Sequence, residues 1–157
     1  MAHRRSAYPN RPPRLELFAN QQPFYFVTFN THEHRPLLAS DLVHACFADF
    51  CRRAVPHGVA VGRYVLMPDH VHLFVATSEG LKLTDWVRTL RTVLGKQLLA
   101  EGHHKPHWQE GFFDHVLRSD ESYSQKWEYV RMNPVRAGLC EEAEDWPFQG
   151  EIVRLDY

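Results

Sequence analysis

Two apolar runs joined by a Pro-Asp pair constrain the fold of this 157-residue chain more than any other feature. The runs, Val59 to Leu66 and His70 to Ala76, are rich in valine and predict two consecutive strands. Pro68-Asp69 between them predicts a turn or a bulge. The second strand opens with His70-Val71-His72. Because side chains alternate across a strand, the two imidazoles point to one face and lie close enough to share a metal ion.

The remaining predicted elements place this pair of strands in the order β-α-β-β-α-β-α. Two further strands are predicted from aromatic and β-branched residues, at Phe24 to Phe29 and at Phe112 to Leu117. The spacing of apolar residues predicts helices at Asp41 to Ala54, from about Leu83 to Gly102 with Thr84 as N-cap, and from Ser119 to about Met132. The tail ends in strand-like residues, Ile152 to Leu155.

This order predicts the α+β fold class. Its first six elements match the split βαβ, or ferredoxin-like, arrangement, an antiparallel sheet with two helices on one face. The third strand then lies beside the first in the sheet centre, and the other face stays open for a ligand or for the additional C-terminal helix. Residues 1–21 contain three prolines and predict a basic, flexible N-terminal arm, so that residues 22–157 form a single domain.

Composition narrows the class of protein. No apolar run approaches the ~20 residues of a membrane span, so no membrane partner is expected. Three cysteines without a CxxC motif indicate a reducing cytoplasm. The net charge of −1 hides an uneven distribution, which permits a nucleic-acid partner without establishing one. The basic residues fall in two groups: Arg4, Arg5, Arg11 and Arg14 before the first acid, and Lys82, Arg88, Arg91, Lys96 and Lys105 in the middle.

The third helix carries a second group of candidate site residues. Tyr129 and Asn133 are four residues apart and are predicted to share a face that is offset from the buried stripe of the helix. A phenol there can act as a nucleophile, and an amide oxygen can ligate a metal. The residues alone leave a plainer alternative open, with Asn133 as a cap before Pro134. In the same way, the His70 and His72 pair can be structural.

Two other histidine groups are weaker candidates. His32-Glu33-His34 has the same spacing but lies in a polar loop, where ligands are held poorly. The group His103, His104 and His107 lies in another polar loop and is expected in solvent. Neither has cysteines at the spacing of a structural zinc site.

Several segments resemble the single-tyrosine HUH (IS200-like) transposases. The segment from Met67 to Leu73, MPDHVHL, is similar to their His-hydrophobic-His motif. Residues 111–123, GFFDHVLRSDESY, and residues 128–139, EYVRMNPVRAGL, together with Trp146-Pro147, resemble the REP-associated tyrosine transposases within that superfamily. The resemblance runs from about Phe24 to Glu151.

The resemblance implies a set of roles. His70 and His72 become metal ligands, Tyr129 the nucleophile of a catalytic helix, and Asn133 a third ligand, directly or through water. The metal is expected to be Mg²⁺ or Mn²⁺. The implied reaction is cleavage and rejoining of single-stranded DNA through a 5′-phosphotyrosine, at or near palindromic repeat hairpins.

Basic residues are expected to assist this reaction. Lys126, one turn before Tyr129, either stabilises the phenolate or lies in solvent. The arm residues Arg4, Arg5, Arg11 and Arg14 are expected to contact DNA phosphates. Two other functions stay open, a hairpin-binding module without catalysis and a metal-dependent hydrolase, for which the motif offers no general base. The sequence is compatible with a monomer and with a homodimer. It is also compatible with a Tyr129 that acts in the site of its own subunit or in the site of a partner subunit.

Overall fold

The computed structural model describes residues 24–156, which form one antiparallel sheet with helices on both faces. The strands are β1 (Phe24–Asn30), β2 (Val59–Leu66), β3 (His70–Thr77), β4 (Phe113–Leu117) and β5 (Gln149–Glu151). The helices are α1 (Asp41–Ala54), α2 (Leu83–Ala100), α3 (Asp120–Val130) and the short α4 (Asn133–Arg136). The predicted arm at residues 1–21, including its four arginines, lies outside the described residues.

The strand order is β4-β1-β3-β2-β5, which confirms the predicted ferredoxin-like α+β class with the third strand beside the first. The fifth strand is an addition at the β2 edge. It begins earlier than the predicted Ile152 to Leu155, because Gln149–Glu151 pairs with β2 and the chain then bends. Ile152 and Val153 still donate backbone hydrogen bonds to β2, so the tail closes this edge of the sheet.

The helices α1 and α2 cover one face of the sheet. On this face Tyr64 of β2 lies opposite Leu73 of β3, and the ring of Phe47 in α1 contacts Tyr64 with centroids 4.7 Å apart. Phe50 of α1 stacks near Trp86 of α2, at 6.0 Å between centroids, and joins the two helices.

The opposite face carries the histidines and is partly covered by α3. Phe74 of β3 lies on this face with His72, two residues earlier. The Phe74 ring contacts Tyr123 and Trp127 of α3, with centroids 4.7 Å and 6.2 Å away. This packing fixes α3 beside the histidine end of the sheet and leaves His70 and His72 only half-buried.

The helix boundaries confirm one predicted cap and correct another. Ser119 caps α3 by accepting a hydrogen bond from the Ser122 backbone N–H at 3.1 Å. Thr84 does not cap α2, since the helix already begins at Leu83 and its N-cap residue, Lys82, makes no side-chain capping bond. No helix within residues 24–156 has both the length and the apolar character that a bilayer crossing requires.

Candidate functional site

His70 and His72 converge as the strand alternation predicts. Their ring centroids lie 4.7 Å apart and the ring planes cross at 80°. Both rings stand at the first residues of β3, where the adjacent positions Asn30 and Thr28 of β1 support them from the neighbouring strand. The pair therefore sits on a rigid sheet and not on a loop.

Each imidazole is oriented through its Nδ1 atom. His70 Nδ1 lies 2.7 Å from Oδ1 of Asp69, and His72 Nδ1 lies 2.7 Å from the hydroxyl of Thr28. The Asp69 carboxylate accepts from Nδ1–H and leaves Nε2 of His70 as the nitrogen for a ligand, whereas the Thr28 hydroxyl, which can donate or accept, orients the His72 ring. The ring of Phe26 stacks on His72 with centroids 5.4 Å apart, which further limits ring rotation.

The environment keeps His72 neutral. Burial is the largest cause that lowers the pKa of His72, and together with the nearby charges of His70, Lys126 and Arg136 it brings the pKa to about 3. A neutral imidazole is the form that binds a metal ion. Lys126 of α3 and Arg136 of α4 are therefore among the cations that disfavour protonation of His72.

Tyr129 and Asn133 are brought together by Arg136. Tyr129 is 63% exposed, as predicted for a residue off the buried stripe. Arg136 donates a hydrogen bond to the Tyr129 carbonyl at 2.7 Å and another to Oδ1 of Asn133, and its guanidinium carbon lies 4.1 Å from the centre of the Tyr129 ring. The phenol, the amide and a cation thus form one group.

The single helix predicted from Ser119 to about Met132 is wrong in its last turn. The helix α3 ends at Val130, and Asn133 begins the separate helix α4. Pro134 explains the break, because a proline ring clashes with the carbonyl four residues earlier but fits the first turn of a new helix. Arg136, which contacts both residues, therefore connects Tyr129 to Asn133 across the two helices.

Lys126 is directed toward the site and not only to solvent. Its ammonium lies 4.7 Å from the ring centroid of Phe26, the same ring that stacks on His72. The side chain is half-buried. This position brings a second cation close to the place where a phosphate would meet the histidines.

The donor atoms present fit a divalent ion with mixed nitrogen and oxygen ligands. Within residues 24–156 no group of three His, Cys, Asp or Glu side chains could hold a metal. His70 and His72 supply two imidazole nitrogens, so further ligands would be amide, water or phosphate oxygens, which Mg²⁺ and Mn²⁺ accept. Oδ1 of Asn133 already accepts from Arg136, and its second lone pair remains for a metal or a bridging water.

The other histidine groups take supporting positions. His34 lies 3.3 Å from Oδ2 of Asp69, so it contacts the carboxylate that orients His70. His107, expected in solvent, is instead 4% exposed, with Nε2 2.9 Å from the His103 carbonyl oxygen.

Sequence reasoning missed three residues of this site. Asp69 lies within the segment MPDHVHL, and its position directly before His70 indicates that its carboxylate can reach that imidazole. Thr28 can be found only from the pairing register of β1 with β3. Arg136 follows Asn133 by three residues, which places it on the same side of α4 once the helix break is known.

Comparisons with known proteins point to one family. Residues 22–133 match the family described as "Transposase IS200 like". The REP-associated tyrosine transposase of Escherichia coli K12 is 28% identical over 88 residues, which are 56% of this chain and 52% of that protein. A Haemophilus influenzae protein described in the same terms is 24% identical over 138 residues, 79% of this chain and 77% of its own length. The alignment thus spans about half of the E. coli relative.

Solved structures share the fold. The structure of a REP-associated tyrosine transposase bound to a REP hairpin has a TM-score of 0.62 and 22% identity, over 95% of this chain and 82% of that one. A Deinococcus radiodurans R1 protein described as a transposase has a TM-score of 0.51 and 20% identity, over 69% of this chain and 88% of that one. At these identities the likeness establishes the fold.

Proposed function

The chain belongs to the IS200-like transposase family, and from that membership we propose that it cleaves and rejoins single-stranded DNA at or near repeat hairpins through Tyr129. The observation that carries this proposal is the placement of Arg136. It contacts Tyr129 and Asn133 directly and its charge acts on His72. These contacts support one site that contains both the nucleophile and the two histidines.

The histidine pair and Asn133 would hold the divalent ion, Mg²⁺ or Mn²⁺. Such an ion, when bound, supplies Lewis acid polarisation of the non-bridging oxygens of a phosphodiester. Asp69 and Thr28 hold the two rings on one face of the sheet, with their centroids 4.7 Å apart. The protein thus prepares the ligand geometry before the substrate arrives.

In the proposed reaction the phenol oxygen of Tyr129 attacks a DNA phosphorus. The bond from phosphorus to the 3′ oxygen breaks, a 5′-phosphotyrosine forms, and the phenol proton is lost while the departing 3′ oxygen gains a proton. Because the covalent link conserves the energy of the broken bond, a second DNA 3′-hydroxyl can reverse the step and join a new end.

The cations near Tyr129 compensate for its weak nucleophilicity. A phenol has a pKa near 10 and is mostly protonated at neutral pH. Arg136, over the Tyr129 ring, and Lys126, beside the Phe26 ring that stacks on His72, would stabilise the extra negative charge of the transition state. These contacts are formed within the chain itself.

The proposed partner is DNA that folds into palindromic hairpins. Support comes from the structural relative, which is bound to a REP hairpin. The basic residues Arg4, Arg5, Arg11 and Arg14 would add phosphate contacts from outside the described part of the chain. We place the protein in the cytoplasm, in keeping with its three free cysteines, Cys46, Cys51 and Cys140.

The proposal is tested by incubating the protein with hairpin DNA that has single-stranded flanks, in Mn²⁺ or Mg²⁺, and separating the products on a denaturing gel. A covalent protein–DNA adduct is expected from the wild type and from the control Tyr25→Phe, and none from Tyr129→Phe. An adduct that persists in Tyr129→Phe contradicts the nucleophile assignment. Cleavage without any adduct would favour a hydrolase, and binding without cleavage would favour a hairpin-binding module.

A further inference from the structure

A basic groove of about 560 Å³ lies between the exposed side of α2 and the loop that follows it. The charged side chains that line it are four cations and one carboxylate: Arg88, Arg91, Lys96, Lys105 and Glu110. We propose that this basic groove binds the backbone phosphates of the paired stem of a DNA hairpin. It would be a second DNA contact, apart from the histidine site, and the inference rests on the proposed function for the identity of its partner.

Most of the positive charge in the basic groove is available to a ligand. Lys96 and Lys105 are exposed and take part in no ion pair within the described residues 24–156. Arg88 contacts Asp85 at 3.5 Å, but both side chains are largely exposed, and a pair of this kind is worth little in water. A polyanion would therefore meet several cations without first displacing a strong protein partner.

Arg91 gives the basic groove a fixed cation. Its guanidinium carbon lies 5.2 Å from the ring centroid of Phe29, and one of its terminal nitrogens donates to the carbonyl of Gly111. Its Nε is buried and has no hydrogen-bond partner in the described part of the chain. Because the side chain is held against an aromatic ring, little of its conformational entropy remains to be lost on binding a phosphate.

The aromatic side chains of the groove favour paired over unpaired DNA. Unpaired bases are bound by stacking on exposed aromatic rings. Trp108 is instead committed to the protein, since its Nε1 donates to the Arg91 carbonyl at 3.0 Å and its ring packs edge-on against Phe29 with centroids 5.3 Å apart. The groove thus offers cations for phosphates without a stacking platform, which suits a duplex whose bases are already stacked.

The spacing of the cations fits a duplex backbone. Arg88 and Lys96 lie on the same helix about 12 Å apart along its axis. Duplex DNA carries one phosphate charge per ~1.7 Å of its axis, so the groove can meet several phosphates at once. Lys105 adds a cation from the opposite wall.

Backbone hydrogen bonds connect the loop wall of the basic groove to the strands that carry the histidine site. The loop wall of the groove is bonded to the end of β1: Gln109 N–H donates to the Asn30 carbonyl at 3.0 Å, and His32 N–H donates to the His107 carbonyl at 2.8 Å. Asn30 is the register partner of His70 in β3. The basic groove and the histidines therefore lie at the same end of the β1–β3 pair, on opposite faces of the sheet.

The test measures binding of a labelled DNA hairpin with single-stranded flanks over a range of salt concentrations. The double variant Lys96→Gln/Lys105→Gln removes two exposed charges from the groove. The matched control, Arg52→Gln/Lys82→Gln, removes the same charge from exposed positions outside it. We expect the groove variant to raise Kd about 5- to 20-fold and to reduce the slope of log K against log salt by about 2, while the control changes both little. Circular dichroism checks that both variants fold.

Either of two kinds of result, unchanged hairpin binding or a loss of affinity that is not selective for paired DNA, would overturn the inference. One is a groove variant that binds the hairpin with the Kd and salt slope of the control. The other is an equal loss of affinity for an unpaired oligonucleotide of the same length, or a larger loss for an RNA hairpin. The adduct assay separates this inference from the proposed function. If no adduct forms, the proposed strand cleavage is contradicted, while the measured stem binding still tests the groove. If an adduct forms but the groove variant binds the hairpin as the control does, only the inference about the groove is overturned.

Discussion

The guanidinium of Arg136 lies over the phenol ring of Tyr129, with its central carbon 4.1 Å from the ring centroid. The same guanidinium donates to the Tyr129 carbonyl and to the side chain of Asn133. One cation therefore fixes the end of α3, the start of α4 and the electrostatic environment of the proposed nucleophile. This arrangement makes Arg136 the residue on which the geometry of the site depends most.

Replacing Arg136 by lysine is expected to slow adduct formation about 10- to 100-fold. Lysine keeps the positive charge but cannot donate to two oxygens in a fixed fork while lying flat on the ring. The loss corresponds to about 1.4 to 2.7 kcal/mol of transition-state stabilisation. Single-turnover adduct formation at saturating hairpin DNA measures the effect, and Kd for DNA is expected to change little.

Arg131→Lys is the matched control for this substitution. Arg131 is also close to Tyr129 in sequence, but its guanidinium contacts the carboxylates of Glu128 and Glu144 and not the phenol. It should leave the rate nearly unchanged. Equal rates for the wild type and Arg136→Lys would show that the contact with Tyr129 does not contribute to the reaction.

Asp69→Asn is expected to weaken divalent-metal binding by about 10- to 100-fold, because carboxylates that orient ligating histidines tune their basicity and direction. The carboxylate lies 2.7 Å from Nδ1 of His70. Calorimetric titration with Mn²⁺ in the absence of DNA measures the change. His34→Gln, which removes the weaker contact with Asp69 at 3.3 Å, should have a smaller effect. Unchanged Mn²⁺ affinity in Asp69→Asn would contradict a metal-binding role for His70.

The sequence predicted much of this fold because most of its signals are local. The two valine-rich apolar runs located β2 and β3, the alternation of side chains along a strand placed the histidine pair on one face, and the helical spacing of apolar residues located α1 with its bounds. The register that places Thr28 beside His72 is a long-range relationship between strands 44 residues apart, and no local pattern encodes it.

The sequence proposes residues for the candidate site, but it does not predict the contacts between them. Tyr129 and Asn133 were proposed from spacing and resemblance, but they lie in two separate helices, since α3 ends at Val130 and α4 begins at Asn133. The bridging role of Arg136 therefore emerges only from three-dimensional contacts. The basic groove likewise depends on tertiary contacts, because Lys105 lies near the α2 cations only after the chain turns back at the end of the helix.

Ser119→Ala is expected to destabilise the protein by about 1 kcal/mol, the usual cost of losing a helix N-cap. Its hydroxyl accepts from the Ser122 backbone at 3.1 Å at the start of the helix that carries Tyr129. Urea denaturation measures the change in the free energy of unfolding. Ser124→Ala, at an exposed position inside the same helix, serves as control and should be neutral or slightly stabilising. Equal stability of the two variants would show that the cap does not hold α3.

The free energy of unfolding is expected to fall as the pH decreases below about 6.5, in part because of His44. Burial is the main cause that lowers the pKa of His44 in the folded protein, where its Nε2 lies 2.7 Å from the Tyr64 hydroxyl. The unfolded chain keeps the ordinary value of about 6.5 and so binds more protons in this range, which makes stability rise with pH. The contribution is fully present above the unfolded pKa and is lost as the pH falls toward the folded one.

His44→Gln should therefore flatten the pH dependence of stability between pH 7 and 5, by less than about 1 kcal/mol relative to the wild type. Urea denaturation at several pH values, with EDTA present, measures this difference. EDTA removes metal binding from the comparison, and His72, whose burial lowers its pKa in the same direction, contributes equally to both proteins. A pH profile of His44→Gln that is as steep as that of the wild type would show that another group causes the acid sensitivity.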